Sequence, residues 1–216
     1  MLEGKTVVVC GVGPGLGGEV ARLALRDGAN VVIAARRGDK LEKIAAELDP
    51  SGKRVAALVT DITDPEQCAA LSEFAVDRFG AIDALVQVAA YDAVFGSFEE
   101  VKAEDWRQTY EVNVIGTTQI ARAVVPAMRK QGGGSIVLIG SQSSMLRLTP
   151  QIAYASSKGA LNTAMYHMAA ELGADQIRVN TVIPTWMWGP PVQGYVKMMA
   201  KQRGVSEEEI KAEIVA

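Results

Sequence analysis

Apolar residues along the chain fall into short unbroken runs separated by longer amphipathic stretches. TVVVC (6–10), VVIAA (31–35), VAALV (55–59), ALVQV (84–88), SIVLI (135–139) and RVNTVI (178–183) are rich in Val, Ile and Leu and show little alternation. Runs of this kind suit strands buried on both faces, as in a parallel sheet covered by helices. Between them, periodic patterns predict helices near 15–27, 39–48, 65–79, 104–130 and 152–173. The order is strand and helix in alternation, and crossovers between parallel strands are right-handed. The expected fold is therefore α/β, a Rossmann-like doubly wound parallel sheet with helices on both faces.

No repeat, low-complexity tract or linker interrupts the pattern, so a single domain over 1–216 is expected. Gly132-Gly133-Gly134 is read as a loop, because a helix that runs straight into a strand needs permissive residues there. Ser206, followed three residues later by Glu209, forms a capping box that predicts a last helix ending at Ala216.

Composition narrows the function classes. A hydrophobic content of 49% supports a substantial core, and a net charge of −3 lacks the basic footprint of a general nucleic-acid binder. Two cysteines, Cys10 and Cys68, make no disulfide framework and fit a reducing compartment, with the cytoplasm as the expectation. No signal-peptide stretch opens the chain and no run approaches a membrane span, so no membrane association is expected. The single histidine, His167, has no partner at ligand spacing; it reads as a helix-face or interface residue, and no metal is expected.

The first strand runs into GVGPGLGG and then an amphipathic helix. At the first β-α junction, helix amides and the positive end of the helix dipole can hold a pyrophosphate, which points to a dinucleotide. Gly13, Gly15 and Gly18 fit GxGxxG, whereas Gly11, Gly15 and Gly17 fit GxxxGxG. Because the apolar run ends at Cys10, the tight turn is needed at Gly11. That choice leaves Gly15 for close approach to phosphate and Gly17 for helix packing. After the second strand stand Ala34, Ala35, Arg36 and Arg37, with no carboxylate for a ribose 2′-hydroxyl. Arginine binds a 2′-phosphate through charge-assisted bonds, so NADP is favoured over NAD, with Arg36 as the main contact.

The segment YASSK sets Tyr154 and Lys158 one helical turn apart. Together with the glycine turn, Ser141 and Asn113, it resembles the short-chain dehydrogenase/reductase family in its compact single-domain form, from Lys5 to about Pro184. Ser141 holds the family's place thirteen residues before the tyrosine of YxxxK, and Asn113 in EVNVIGT matches the asparagine of its catalytic tetrad. The resemblance implies Asp61 as an adenine contact, with Leu16, Ile62 and Ala89 also lining the cofactor. Backbone near Pro184 and Thr185 would lie beside the nicotinamide. It also implies 185–216 as a substrate-side lid segment, a homodimer or homotetramer, and a further helix and strand that a truncated or partly observed chain would lack. Three departures stand out: Cys10 for a usual threonine, Pro14 at a loop position often basic in NADP users, and QVAA (87–90) for NNAG. Cys10 and Val88 are expected to compensate each other, a lost hydroxyl mattering less beside a neighbour that is also apolar.

On this reading hydride moves between nicotinamide and a carbonyl carbon while Tyr154 gives or takes the oxygen's proton and Ser141 stabilises the charge on that oxygen. Lys158 lowers the tyrosine pKa and binds the cofactor ribose, and Asn113 holds a water that links Lys158 to solvent. Tyr91, Phe95, Met145, Leu146, Trp186, Met187 and Trp188 fall in loops expected at the same sheet edge. An apolar pocket for a hydrophobic secondary alcohol or ketone and a lid packed on the domain explain them equally. Small residues such as Gly159, Ala160, Ala164 and Ala169 allow close packing with another subunit or within the chain. Two further readings stay open: a catalytically silent nucleotide sensor or scaffold on the same fold, and sugar-nucleotide epimerase or dehydratase chemistry, for which the chain has little room.

Overall fold

Both-face burial explains the unbroken apolar runs of the first two strands, whereas the sixth alternates between buried and exposed positions. In a computed structural model describing residues 1–147 and 149–215, all five residues of β1 (Thr6–Cys10) are buried. Their side chains alternate between two cores. Val7 and Val9 join Ala21, Ala24 and Leu25 of α1 (Leu16–Arg26) and Leu41 of α2 (Gly38–Leu48). Val8 and Cys10 join Leu71 and Ala75 of α3 (Pro65–Phe79) on the opposite face. A strand sandwiched in this way has no polar side to show.

The other strands are β2 (Asn30–Ala35), β3 (Val55–Val59), β4 (Ala84–Gln87), β5 (Gly134–Ile139) and β6 (Ile177–Val182). They form one six-stranded sheet in the order β3-β2-β1-β4-β5-β6, and every pairing is parallel. The chain winds outward from β1 to β3, then returns to place β4 on the other side of β1. That reversal opens the crevice beyond the C-terminal ends of β1 and β4 where open α/β sheets take ligands. The expected strands form, and so do the expected helices except that over 104–130, with bounds shifted by a residue or two.

One element differs in kind. The helix expected over 104–130 is three segments: α4 (Ala103–Tyr110), a π-turn at Glu111–Gly116, and α5 (Thr117–Lys130). Wide turns of this type inside helices concentrate at functional positions, and here the turn contains Asn113. Gly116 at its end packs closely on Ile62, where a Cβ would stand 2.9 Å from Cγ1 and force a shift. Gly132 and Gly133 lie in the expected loop from Lys130 to β5, while Gly134 already belongs to the strand. The next helix, α6 (Ile152–Leu172), carries YASSK in its first two turns.

The chain divides into two compact units, Met1–Ile183 and Pro184–Ala216. The second contains α7 (Pro190–Arg203) and α8 (Glu207–Val215) around a small core of Val196, Ala200 and Ile210. Gly204, at φ +67, ends α7 in the left-handed conformation. The expected capping box starts α8: Ser206 N–H donates to Glu209 Oε2 at 2.8 Å, and Glu209 N–H to Ser206 Oγ at 3.2 Å. The helix's expected end at Ala216 lies outside the described residues. Among the described residues no helix is long and apolar enough to cross a membrane.

Candidate active site

The glycine turn follows the GxxxGxG register. Gly11 has φ +93, and a Cβ there would stand 2.2 Å from Ala89 N, so the turn after β1 and the loop after β4 touch through backbone. Gly17 packs the start of α1 onto the turn, its would-be Cβ 2.3 Å from Gly11 O. Gly18 is equally tight against Gly13 O, at 2.5 Å, whereas Gly13 and Gly15 have nothing within 4 Å of a Cβ. Gly15 is the N-cap of α1 and no side chain caps the first-turn amides; Leu16 opens the helix. An open glycine before uncapped amides at a helix's positive end fits a pyrophosphate.

Arg36 and Arg37 are exposed just after β2, and neither forms an ion pair among the described residues. Asp61 turns Oδ1 inward, accepting from Thr63 N–H at 3.0 Å and Thr63 Oγ at 2.8 Å, while its own N–H donates to Gln67 Oε1 at 2.9 Å. Ile62 is buried in the core. Cys10 O accepts both Val88 N–H at 2.8 Å and Ala89 N–H at 3.0 Å, which holds Ala89 against the glycine turn. The expected compensation between Cys10 and Val88 fails, because their side chains point into opposite cores. Burial pushes the Cys10 thiol far up.

From Ala89 a polar chain leads to YASSK. Gln87, buried at the end of β4, donates to Ala89 O at 3.2 Å and Thr117 Oγ at 3.3 Å. Asn113 is fully buried; its Oδ1 accepts Tyr91 N–H at 2.7 Å, and its amide donates to Tyr91 O at 3.0 Å and Ser157 Oγ at 2.9 Å. Both amide protons are thereby committed, so the side chain acts as a clamp between β4's loop and α6 and cannot donate to a water. Ser157 donates to Tyr154 O at 2.7 Å, and Lys158 Nζ donates to Ile139 O at 2.7 Å. The ammonium sits 5.6 Å from the Tyr154 ring centroid.

Burial raises the Tyr154 phenol above its usual value; Ser141 opposes the rise and the charge of Asp92 adds to it. The Ser141 hydroxyl lies close enough to the phenol to act on it as a hydrogen-bond partner. Lys158 is itself pulled down to about 8 by burial, against the supporting charge of Asp92. The expected depression of the tyrosine by the lysine does not appear, and desolvation is the largest effect at both groups.

Four participants carried no signal of their own in the sequence: Asp92, Gln151, Ser157 and Ser143. Gln151 immediately precedes α6, donates to Asp92 O at 2.6 Å, and accepts from Thr149 Oγ at 2.6 Å. Gly96 pairs with Gln151 in an isolated parallel bridge, so the loops after β4 and β5 are laced together beside Tyr154. Ser143 donates to Ser141, and only the run of hydroxyls in SQSS hints at it. Among the expected pocket residues, Tyr91 is half-buried, while Phe95, Met145 and Leu146 are exposed on the first unit. Pro184 and Thr185 open the second unit. Within it the Trp186 and Tyr195 ring centroids are 5.2 Å apart, and Lys211 Nζ lies 5.2 Å from the Trp188 centroid.

Comparison with known proteins agrees with this architecture. The dehydrogenase/reductase SDR family member 4 of Mus musculus is 35% identical over 183 residues, covering 85% of this chain and 66% of that protein. This chain therefore spans just under two thirds of that relative's length. The 7alpha-hydroxysteroid dehydrogenase of Escherichia coli K12 is 34% identical, covering 85% of this chain and 71% of the enzyme. The structure of NAD+-bound xylitol dehydrogenase superposes with a TM-score of 0.87 at 27% identity, covering 93% of this chain and 77% of that one. The pattern of the family described as short chain dehydrogenase runs through residues 5–198, and the chain belongs to that family.

Proposed function

We propose that the protein is a nicotinamide-dependent oxidoreductase that interconverts a secondary alcohol and a ketone, with NADP as the favoured cofactor. The observation that carries this reading is the continuous set of contacts from Gly11 through Ala89, Tyr91, Asn113 and Ser157 to Lys158 and Tyr154, with Ser141 opposite the phenol. A pure nucleotide sensor has no use for a half-buried phenol opposed by a serine hydroxyl.

The bound nicotinamide supplies or accepts the hydride. Gly11, Gly15, Leu16 and Gly17 would hold its pyrophosphate, Asp61 and Ile62 the adenine side, Ala89 the middle, and Pro184 and Thr185 the nicotinamide side. Tyr154 donates its phenolic proton to the carbonyl oxygen during reduction and takes it back during oxidation. Because burial favours the neutral phenol, Tyr154 is poised as the acid at neutral pH, and alcohol oxidation should accelerate as pH rises. Ser141 donates a hydrogen bond to the same oxygen as charge grows there. Lys158 binds cofactor ribose, and Asn113 fixes the loop and helix against which these groups are aligned.

Exposed Arg36 supports the choice of NADP, since a guanidinium free of internal partners can pair with a 2′-phosphate. The xylitol dehydrogenase neighbour holds NAD+, which keeps NAD as the alternative. A hydrophobic substrate is supported by the exposed Phe95 and Met145 in the loops after β4 and β5, and by the hydroxysteroid relative. Exposed Tyr166 and Ile115 and the open Gly159 support a homodimer or homotetramer through α4–α6, in a cytoplasmic enzyme.

The test is a panel of ketones assayed with NADPH and NADH, using wild type, Tyr154→Phe and Arg36→Ala. Tyr154→Phe should lose about 10³-fold in kcat while still binding NADPH. Arg36→Ala should lose roughly tenfold or more in kcat/KM with NADPH alone. Near-full activity of Tyr154→Phe refutes the oxidoreductase mechanism; a strong NADH preference in wild type refutes the cofactor assignment.

A further inference from the structure

Ser141 opens a short 3-10 turn, Gln142–Ser144, directly after β5. A serine hydroxyl has one proton to give and two lone pairs to fill. Both lone pairs of Ser141 are filled by one residue: Ser143 N–H donates to Ser141 Oγ at 3.2 Å, and Ser143 Oγ donates to it at 2.8 Å. The turn is itself tied down, with Ser144 Oγ donating to Ser141 O at 2.7 Å and Asn162 donating to Ser144 Oγ at 3.3 Å. With its acceptor capacity used behind it, Ser141 has only its proton left to direct forward, toward Tyr154.

We infer that Ser143 is a positioning residue that makes Ser141 an obligate hydrogen-bond donor to the reacting oxygen. This role rests on the proposed reductase chemistry and adds to it a determinant of proton direction. Without the Ser143 hydroxyl, Ser141 regains a lone pair and can accept the proton of the neutral phenol. Tyr154 is then held in its protonated form by the group meant to assist its ionisation, and the carbonyl oxygen loses a donor. The capping bond from Ser143 N–H is available to alanine, threonine and cysteine alike, so the effect belongs to the hydroxyl and not to the turn.

The charged groups nearest Tyr154 are Lys158 of α6 and Asp92 of the loop after β4, and among the described residues neither side chain is hydrogen-bonded to Ser143. A change at Ser143 therefore reaches the phenol through Ser141. Two measurements test this. The first needs no turnover: phenolate absorbance after a rapid pH jump, with the Tyr154→Phe trace subtracted, reports Tyr154 ionisation directly. Ser143→Ala should reduce the ionisation constant by about tenfold, and Ser143→Thr should leave it near wild type. The second is steady-state ketone reduction, where Ser143→Ala should lower kcat about tenfold with KM and NADPH binding within about twofold, and Ser143→Thr should restore most of it. Ser143→Cys, a weak donor, should fall between the two and replaces the alanine variant if that one does not fold.

A Ser143→Ala protein with wild-type Tyr154 ionisation, beside a Ser141→Ala protein that shifts it, overturns the inference. So does loss of activity that Ser143→Thr fails to rescue. Failure of the oxidoreductase reading looks different: wild type would bind NADPH and reduce no ketone, while the ionisation measurement would still decide the role of Ser143.

Discussion

The two sides of the crevice are built on opposite principles. On the β1–β3 side the geometry is held by backbone: a positive-φ glycine touching Ala89, a second glycine against the turn, and strands sealed in apolar cores. On the β4–β6 side it is held by side-chain hydrogen bonds, through Gln87, Asn113, Ser157, Gln151 and Ser143. The first arrangement excludes atoms; the second commits donors and acceptors. A pyrophosphate asks only for room and amides, whereas a proton transfer asks that each hydroxyl point one way.

If that contrast is right, adding one methyl group should do most harm on the backbone side. Gly11→Ala must relieve a 2.2 Å approach to Ala89 N at a φ of +93, and should cost about 4 kcal/mol of unfolding free energy in denaturant titration. A variant that unfolds like wild type would show the turn to be soft.

On the polar side the largest reserve is electrostatic. Lys158 is buried with its pKa drawn from 10.5 to about 8, so below about 8 the folded state bears the full penalty of a buried ammonium. Between about 8 and 10.5 the unfolded chain binds more protons than the folded one, and stability contributed by this residue rises with pH. The stability of wild type relative to Lys158→Met should therefore increase by roughly 3 kcal/mol across that window and be flat below it. A difference that stays constant from neutral to alkaline pH would mean that the lysine is solvated.

The mildest substitution separates space from contact. Gly15→Ala meets nothing within 4 Å, and its φ of −107 suits any residue, so unfolding should change by less than about 1 kcal/mol. NADPH affinity should nevertheless fall several-fold, because the methyl group enters the space assigned to phosphate. Unchanged NADPH binding would move the phosphate elsewhere in the turn.

The same contrast explains what the sequence discloses. Strands covered on both faces must be apolar throughout, so TVVVC and VVIAA announce themselves, and a turn that tolerates no Cβ announces itself as glycine. Tyr154, Lys158, Ser141 and Asn113 are legible because their spacing is shared by a family, not because the residue types are unusual. Ser143, Gln151 and Asp92 are ordinary loop residues until the fold brings β4's loop, β5's loop and the start of α6 together. The rise in the tyrosine's pKa was illegible for a related reason. One turn of helix sets Lys158 near the phenol, but only the packed structure shows both groups so desolvated that the ammonium is weakened as well.

The wide turn at Glu111–Gly116 has a consequence for the whole rod that contains it. An α-helix advances each residue by about 100°, so a turn that holds one residue more resets the angular phase of everything beyond it. Before that turn, α4 can present one face to α6; after it, α5 can present an independently chosen face to α3. Removing a single residue there would leave a smoother cylinder with its two ends rotationally mismatched, and Asn113 would swing away from Tyr91 without any neighbour having been touched.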